Sequence, residues 1–213
     1  MIIQEPSGKR KNSFKRINEQ HSLMMRLLLN YVIIILFTLS CSSKEDNSLN
    51  NYNYTLTELF DSLNIDKNKI TILIDKSDYK LSVFIDTFSI KEYPVVFGGN
   101  PVDDKLQQGD DCTPEGTFNM ILKYPHKEWN KFIWINYPND ESWEKHKSAK
   151  EENLIPQDAK IGGEIGIHGV PEGFDKLIDL KFNWTLGCVS LKNKDVDEIY
   201  PYITESTEII IQK

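Results

Sequence analysis

"ITILIDKSDYKLSVFID" (residues 70–86) holds two short runs, ITILID and LSVFID, rich in β-branched and aromatic residues. Between them lies KSDYK, with the Ser and Asp that turns favour. Such runs around a turn read as a β-hairpin. Working outward, the pattern recurs. YPVVFGG (93–99) reads as a third strand, and Pro94 marks an edge or a strand start because proline cannot donate to a ladder. GTFNMILKY (116–124) and KFIWINY (131–137) read as further strands. GGEIGIHG (162–169) is a strand entered through paired glycines and left at Gly169, and TEIIIQ (207–212) is the last. Helices are few. YTLTELFDSLNI (54–65) spaces Leu56, Leu59, Phe60 and Leu63 at the helical period. A second helix starts near Asn193, a candidate N-cap, with Asp195, Asp197 and Glu198 in the turns where the dipole favours acids. Its apolar face is Val196, Ile199, Tyr200 and Ile203. The pattern predicts a mainly β fold, a β-rich α+β domain over 68–213, preceded by a polar tether and short helix over 42–67.

A length of 213 residues fits one domain plus extensions. The net charge of −7 argues against nucleic acid as a partner, since phosphate binding needs a basic stripe. The N-terminal part differs in character. Arg26 precedes LLLNYVIIILFTL (27–39), which is shorter than the ~20 apolar residues of a membrane-spanning helix. A basic start, a short apolar stretch and small residues describe a secretory signal. The stretch runs into TLSCSS, which resembles a bacterial lipoprotein signal with Cys41 as the lipidated first residue, although Thr38 stands where that signal prefers Leu. Met24 and Met25 are then alternative starts, and a plain secretory signal or an uncleaved anchor is the other reading. Without residues 1–41 the chain keeps 19 basic and 30 acidic residues, a net of −11, so membrane contact would come from the lipid and not from a basic patch. CSSKEDN (41–47) resembles the acidic sorting signal of some surface-exposed lipoproteins. The expected place is the cell envelope, periplasmic, outer-membrane or surface-exposed.

Three cysteines occur: Cys41, Cys112 and Cys188. Cys188 in FNWTLGCVSLKN (182–193) reads as a structural thiol, half a disulfide, a metal ligand or a nucleophile. A nucleophile needs a basic neighbour, because only the thiolate attacks. Of four histidines, His21 lies before the signal, and His126 and His146 lie in polar stretches expected to be loops. His168, at the end of IGIHG between Gly166 and Gly169, is well placed to face a cleft; the alternative is a ring satisfied by a backbone carbonyl. Gly187 permits a tight turn in which N–H groups converge as an oxyanion hole requires, and the Thr185 hydroxyl offers a further donor. Trp184 either lines the cleft or packs in the core. A zinc site lacks further ligands at suitable spacing.

IHG, followed 17 positions after His168 by Thr185, Gly187 and Cys188 in TLGCVSL, resembles the signature of the YkuD-type L,D-transpeptidase family. DKSDYKLSVF, YPVVFGGNPVDDKLQQGDDCTPEGTF and INYPND are similar to its other segments, over about residues 70–211, and the detail is most like the YafK-like branch. The resemblance implies a β-sandwich and acyl transfer on peptidoglycan tetrapeptide stems, hence cell-wall cross-linking or remodelling and cell shape. It implies Cys188 as nucleophile and His168 as general acid and base. Gly187, Thr185, Gly169 and Trp184 are the implied oxyanion or substrate-binding residues, with Tyr137, Pro138 and Asn139 bordering the cleft. It implies no metal or other cofactor, and a monomer. A hydrolase using the same site, trimming stems or releasing wall-linked protein, and a non-catalytic wall-binding lipoprotein are the alternatives. Many members carry Arg two residues after the Cys, where this chain has Ser190. Cys112 lies outside the family pattern and is expected to be a free thiol.

Overall fold

The computed structural model describes residues 49–64, 66 and 69–213. The signal region and Cys41 lie outside the described residues. The strands are β1 (Ile70–Asp75), β2 (Lys80–Ile85), β3 (Phe88–Pro94), β4 (Gly116–His126), β5 (Asn130–Ile135), β6 (Gly166–His168), β7 (Val189–Ser190) and β8 (Glu208–Gln212). They join in the order β3-β2-β1-β8-β4-β5-β6-β7. The expected hairpin forms: β1 and β2 pair antiparallel from Ile70 opposite Ile85 to Asp75 opposite Lys80. Alternation decides which faces are inside. Ile70, Ile72 and Ile74 of β1 and Ile209 and Ile211 of β8 are buried, while their neighbours along each strand are more exposed.

The long strand β4 belongs to both halves of the sheet. Gly116–Asn119 pair with β8, and Met120–His126 pair with β5. One hydrophobic core then takes residues from both halves, among them Ile72, Leu81 and Ile209 from one and Ile133, Ile167 and Val189 from the other. Each such aliphatic side chain contributes about 1.5–3 kcal/mol by leaving water. The architecture is the mainly β one expected, with few short helices.

Helix α1 (Leu56–Leu63) starts where expected, because the Thr55 hydroxyl accepts from the Glu58 N–H and the Glu58 carboxylate accepts from the Thr55 N–H. Leu56, Leu59 and Phe60 are buried, whereas Leu63 is exposed. The segment before it is tied down. Tyr52 donates to Asp195 at 2.8 Å, and the buried Lys91 holds Glu198 at 2.8 Å and the Tyr54 carbonyl.

Three local expectations are corrected. The third strand is β3 (Phe88–Pro94), earlier than YPVVFGG, because β2 pairs with FSIKEYP. Residues 95–99 are instead the partner of the 185–190 segment: Val96 exchanges hydrogen bonds with Ser190 at 3.0 and 2.9 Å, and Gly99 donates to Thr185 at 3.1 Å. DESWEKHKSAKE, the polar stretch around His146 expected to be a loop, is helix α2 (Asp140–Glu151), N-capped by Asn139. Its apolar signal is faint, with only Ser142, His146 and Ala149 buried. A short helix, α3 (Lys176–Asp179), follows β6. The last helix, α4 (Asn193–Ile199), begins after Lys192, so Asn193 is its first residue and not its cap. The Asn193 side chain is committed elsewhere, accepting from the Val170 N–H at 3.0 Å.

Candidate active site

Strands β6 and β7 run parallel, with Ile167 opposite Val189 and His168 opposite Ser190. Ile167 and Val189 point into the core. By the two-residue period of a strand, His168 and the Cys188–Ser190 pair face the other way. Cys188 precedes β7 by one residue, so it lies beside Gly166 and shares a face with His168. Both residues line one cleft of about 840 Å³.

The Cys188 thiol is partly exposed, and its Sγ–H points to the Glu164 carbonyl at 3.6 Å. Burial pushes it up to about 11, against the Gly166 backbone N–H and the Lys105 charge, which favour the thiolate. The His168 ring is buried at 2% exposure. Its Nδ1 lies 2.6 Å from the Gly169 carbonyl. A carbonyl only accepts, so Nδ1 carries the proton and Nε2 is the basic nitrogen. Burial lowers the ring to about 4, despite the Gly169 bond that favours the charged form. The ring stacks on Trp129 at 4.7 Å and Phe132 at 5.7 Å, with Trp184 edge-on at 5.5 Å.

Gly187 adopts φ +141°, and a Cβ there would meet the Cys112 carbonyl at 2.7 Å, so both backbone angle and space demand glycine. Thr185 has a different part from the free donor expected. Its hydroxyl donates to the Cys188 carbonyl at 2.7 Å and accepts from the Gly187 N–H at 3.2 Å. The hydroxyl and the Gly187 N–H are therefore spent on bracing the turn. Gly169 also differs from expectation. It lies behind His168, where its carbonyl accepts from the ring and from Ser190 Oγ at 3.2 Å. A Cβ on it would meet Asn193 Oδ1 at 2.2 Å. Trp184 lines the cleft and also packs against Val96, Val170 and Ile178, so the two alternatives do not exclude each other.

Tyr137, Pro138 and Asn139 do not line the cleft: Tyr137 is buried in the core and Asn139 caps α2. His146 is buried with Nδ1 at 2.6 Å from the Leu106 carbonyl. His126 is corrected too. It ends β4, lines the cleft and stacks on Trp129 at 4.4 Å. Its Nδ1 accepts from the Glu128 and Trp129 N–H groups at 3.2 Å, which makes Nε2 the protonated nitrogen. Lys105, Trp129 and Phe132 are lining residues that sequence reasoning missed. The aromatic density of YPHKEWNKFIW (124–134) is the signal that points to that wall. Cys112 is buried and free, as expected.

The family model described as the L,D-transpeptidase catalytic domain, YkuD, matches residues 69–211. Among solved structures, the chain is similar to the helical cell shape determining protein Pgp2 from Campylobacter jejuni, with 21% identity and a TM-score of 0.50 over 73% of this chain and 55% of that one. This likeness bears on the fold alone. Bd1075 of Bdellovibrio bacteriovorus matches at 25% identity and TM-score 0.48, over 68% and 48% of the two chains. An L,D-transpeptidase from Mycobacterium smegmatis matches at 15% and 0.44, over 68% and 59%. The chain thus spans about half the length of these structures. No curated protein matches it.

Proposed function

The chain belongs to the YkuD family of L,D-transpeptidase catalytic domains, and from that premise we propose that it performs cysteine-dependent acyl transfer on peptidoglycan stem peptides, with residues 68–213 as the catalytic unit. The observation that carries the reading is the shared face of Cys188 and His168 on one cleft, with the His168 tautomer set by the Gly169 carbonyl. Such a face supplies a nucleophile, a base and the base's orienting acceptor, the three parts of a catalytic triad.

The resting pair is neutral thiol and neutral imidazole, since burial opposes both charges. Proton transfer therefore accompanies attack. His168 Nε2 takes the thiol proton as Sγ bonds to the carbonyl carbon of the third stem residue, an L-centre. The oxyanion is met by the Cys188 N–H, because the Thr185 hydroxyl and Gly187 N–H are committed to the turn. An oxyanion donor is worth about 3 kcal/mol in other acyl-transfer enzymes. The tetrahedral adduct collapses, the C–N bond to the terminal D-Ala breaks, and His168 returns its proton to the leaving amine. A second amine resolves the thioester as a cross-link, and water resolves it as a tripeptide.

Peptidoglycan as substrate implies a place in the cell envelope. Among the described residues no helix is long and apolar enough to cross a membrane. The LLLNYVIIILFTLSC sequence supports lipid attachment at Cys41. Mass spectrometry of the N-terminal peptide from membranes checks this.

Incubation with disaccharide-tetrapeptides, followed by mass spectrometry, tests the function. Cys188-dependent dimers support transpeptidation, and tripeptides with no dimer favour hydrolysis. No Cys188-dependent product, from these or from protein-linked muropeptides, sinks the enzymatic reading and leaves wall binding.

A further inference from the structure

Lys105 is the one Lys or Arg lining the cleft among the described residues. It is 5% exposed, an expensive place for a charge. Its Nζ donates to Asp110 Oδ1 at 2.7 Å and to the Gln107 carbonyl at 3.1 Å, two of three possible donations. Asp110 is itself held from all sides, accepting also from the N–H groups of Leu106, Gln107 and Cys112. The ammonium is thereby fixed in position.

The loop that carries this pair is built against the turn that carries Cys188. Cys112 bridges Asn100, and the Cys112 carbonyl is the group that a Cβ on Gly187 would strike. Besides Lys105, the titratable groups lining the cleft with Cys188 are Asp111, Tyr124, His126, Glu164 and His168. Glu164 opposes a negative charge on the sulfur, and Lys105 favours it. A buried ion pair adds little to stability over apolar residues of the same volume. Stability therefore does not account for a lysine at the cleft wall.

We propose that Lys105 is the electrostatic partner of the negative charge that develops at Cys188, favouring first the charge on Sγ as its proton passes to His168 and then the oxyanion of the tetrahedral adduct. The proposal rests on the reading of Cys188 as nucleophile. Lys105 takes no part in proton transfer, and no covalent bond to it forms or breaks. The thiol proton still goes to His168. Asp110 is a positioning residue that holds Nζ in place.

The test is the pH dependence of Cys188 alkylation by iodoacetamide in the full chain, read by peptide mapping so that Cys112 is counted separately. Lys105→Arg keeps the charge and leaves the profile within about twofold of the parent. Lys105→Met shifts the titration upward by about one unit, seen as about tenfold slower alkylation at a fixed pH below the midpoint. Lys105→Met/Asp110→Asn leaves no lone buried carboxylate and shows the same upward shift. This second variant keeps the test open should Lys105→Met alone unfold, with circular dichroism and continued protection of Cys112 reporting the fold. An unchanged profile in Lys105→Met overturns the proposal. So does a double variant that returns to the parental profile, because the effect then belongs to the orphaned Asp110. Alkylation needs no peptidoglycan, so a chain inert toward stems refutes the proposed function and leaves this result standing.

Discussion

His168 Nδ1 and Ser190 Oγ converge on a single acceptor, the Gly169 carbonyl, at 2.6 and 3.2 Å. Ser190 is fully buried and opposite His168 in the β6–β7 register, and its backbone also pairs with Val96. Position 190 is thus an interior one in this chain. Ser190→Ala removes one neutral hydrogen bond and leaves the His168 bond intact, so it lowers stability by about 1 kcal/mol and changes kcat/KM only a few-fold. Ser190→Arg buries an unpaired charge and lowers stability by several kcal/mol, on the order of 3–5. Urea unfolding of both variants checks the contrast.

The brace at Thr185 gives a separate expectation. Thr185→Val keeps the shape and strands the Gly187 N–H and the Cys188 carbonyl, at a cost of about 1–3 kcal/mol. Thr185→Ser keeps the hydroxyl and most of the stability. Were Thr185 only a transition-state donor, Thr185→Val would lower kcat with no change in the unfolding midpoint. Paired measurements of kcat and stability decide between brace and donor.

Gly187→Ala brings both steric costs at once. Its φ of +141° disfavours any side chain, and the added Cβ sits against the Cys112 carbonyl. We expect a loss of about 1–3 kcal/mol in stability, as for other residues held in sparsely populated backbone conformations. Displacement of Cys188 lowers kcat by about a hundredfold. Normal activity in this variant would mean that the turn is more tolerant than its geometry implies.

The pH profile follows from burial of the pair. His168 must be neutral to accept a proton, and its ring is lowered to about 4. The acid limb of kcat/KM therefore has its midpoint near pH 4, well below the ordinary histidine value of about 6.5. Cys188, raised to about 11, alkylates slowly at neutral pH and faster as pH rises through 9 to 11. A fast alkylation plateau at pH 5–6 would reveal a thiolate–imidazolium pair and contradict the neutral resting state.

Stability has its own pH dependence. Between about pH 6.5 and 4 the unfolded chain binds more protons at His168, so this contribution falls as pH falls. Asp195 works the other way. Burial raises its carboxyl to about 6, so the folded chain binds more protons there between about 6 and 3.8. Asp195→Asn removes the opposing group, and its stability falls more steeply on acidification than that of the parent. Unfolding midpoints at pH 7 and pH 4.5 measure the difference.

Much of this protein is legible one segment at a time. The hairpin at 70–86 follows from two β-branched and aromatic runs around a turn, and α1 from apolar residues at the helical period. Helix α2 escapes such reading because most of it is solvated and its buried face is small and polar. The motif residues His168, Thr185, Gly187 and Cys188 are likewise visible in order along the chain.

What the order cannot convey is which atom each group spends on which neighbour. Hydrogen bonds have few donors and acceptors, and those are allotted by packing. The sequence by itself determined the residue types, most of the strands and the family motif. Only the tertiary structure decided that Thr185 and Gly187 bond to the turn, that Gly169 lies behind His168, and that His126 and Lys105 reach the cleft. The reach of His126 and Lys105 to the cleft follows from contacts between residues far apart in the chain. The bonds of Thr185, Gly187 and His168 join near neighbours but depend on backbone angles that the residue pattern does not encode.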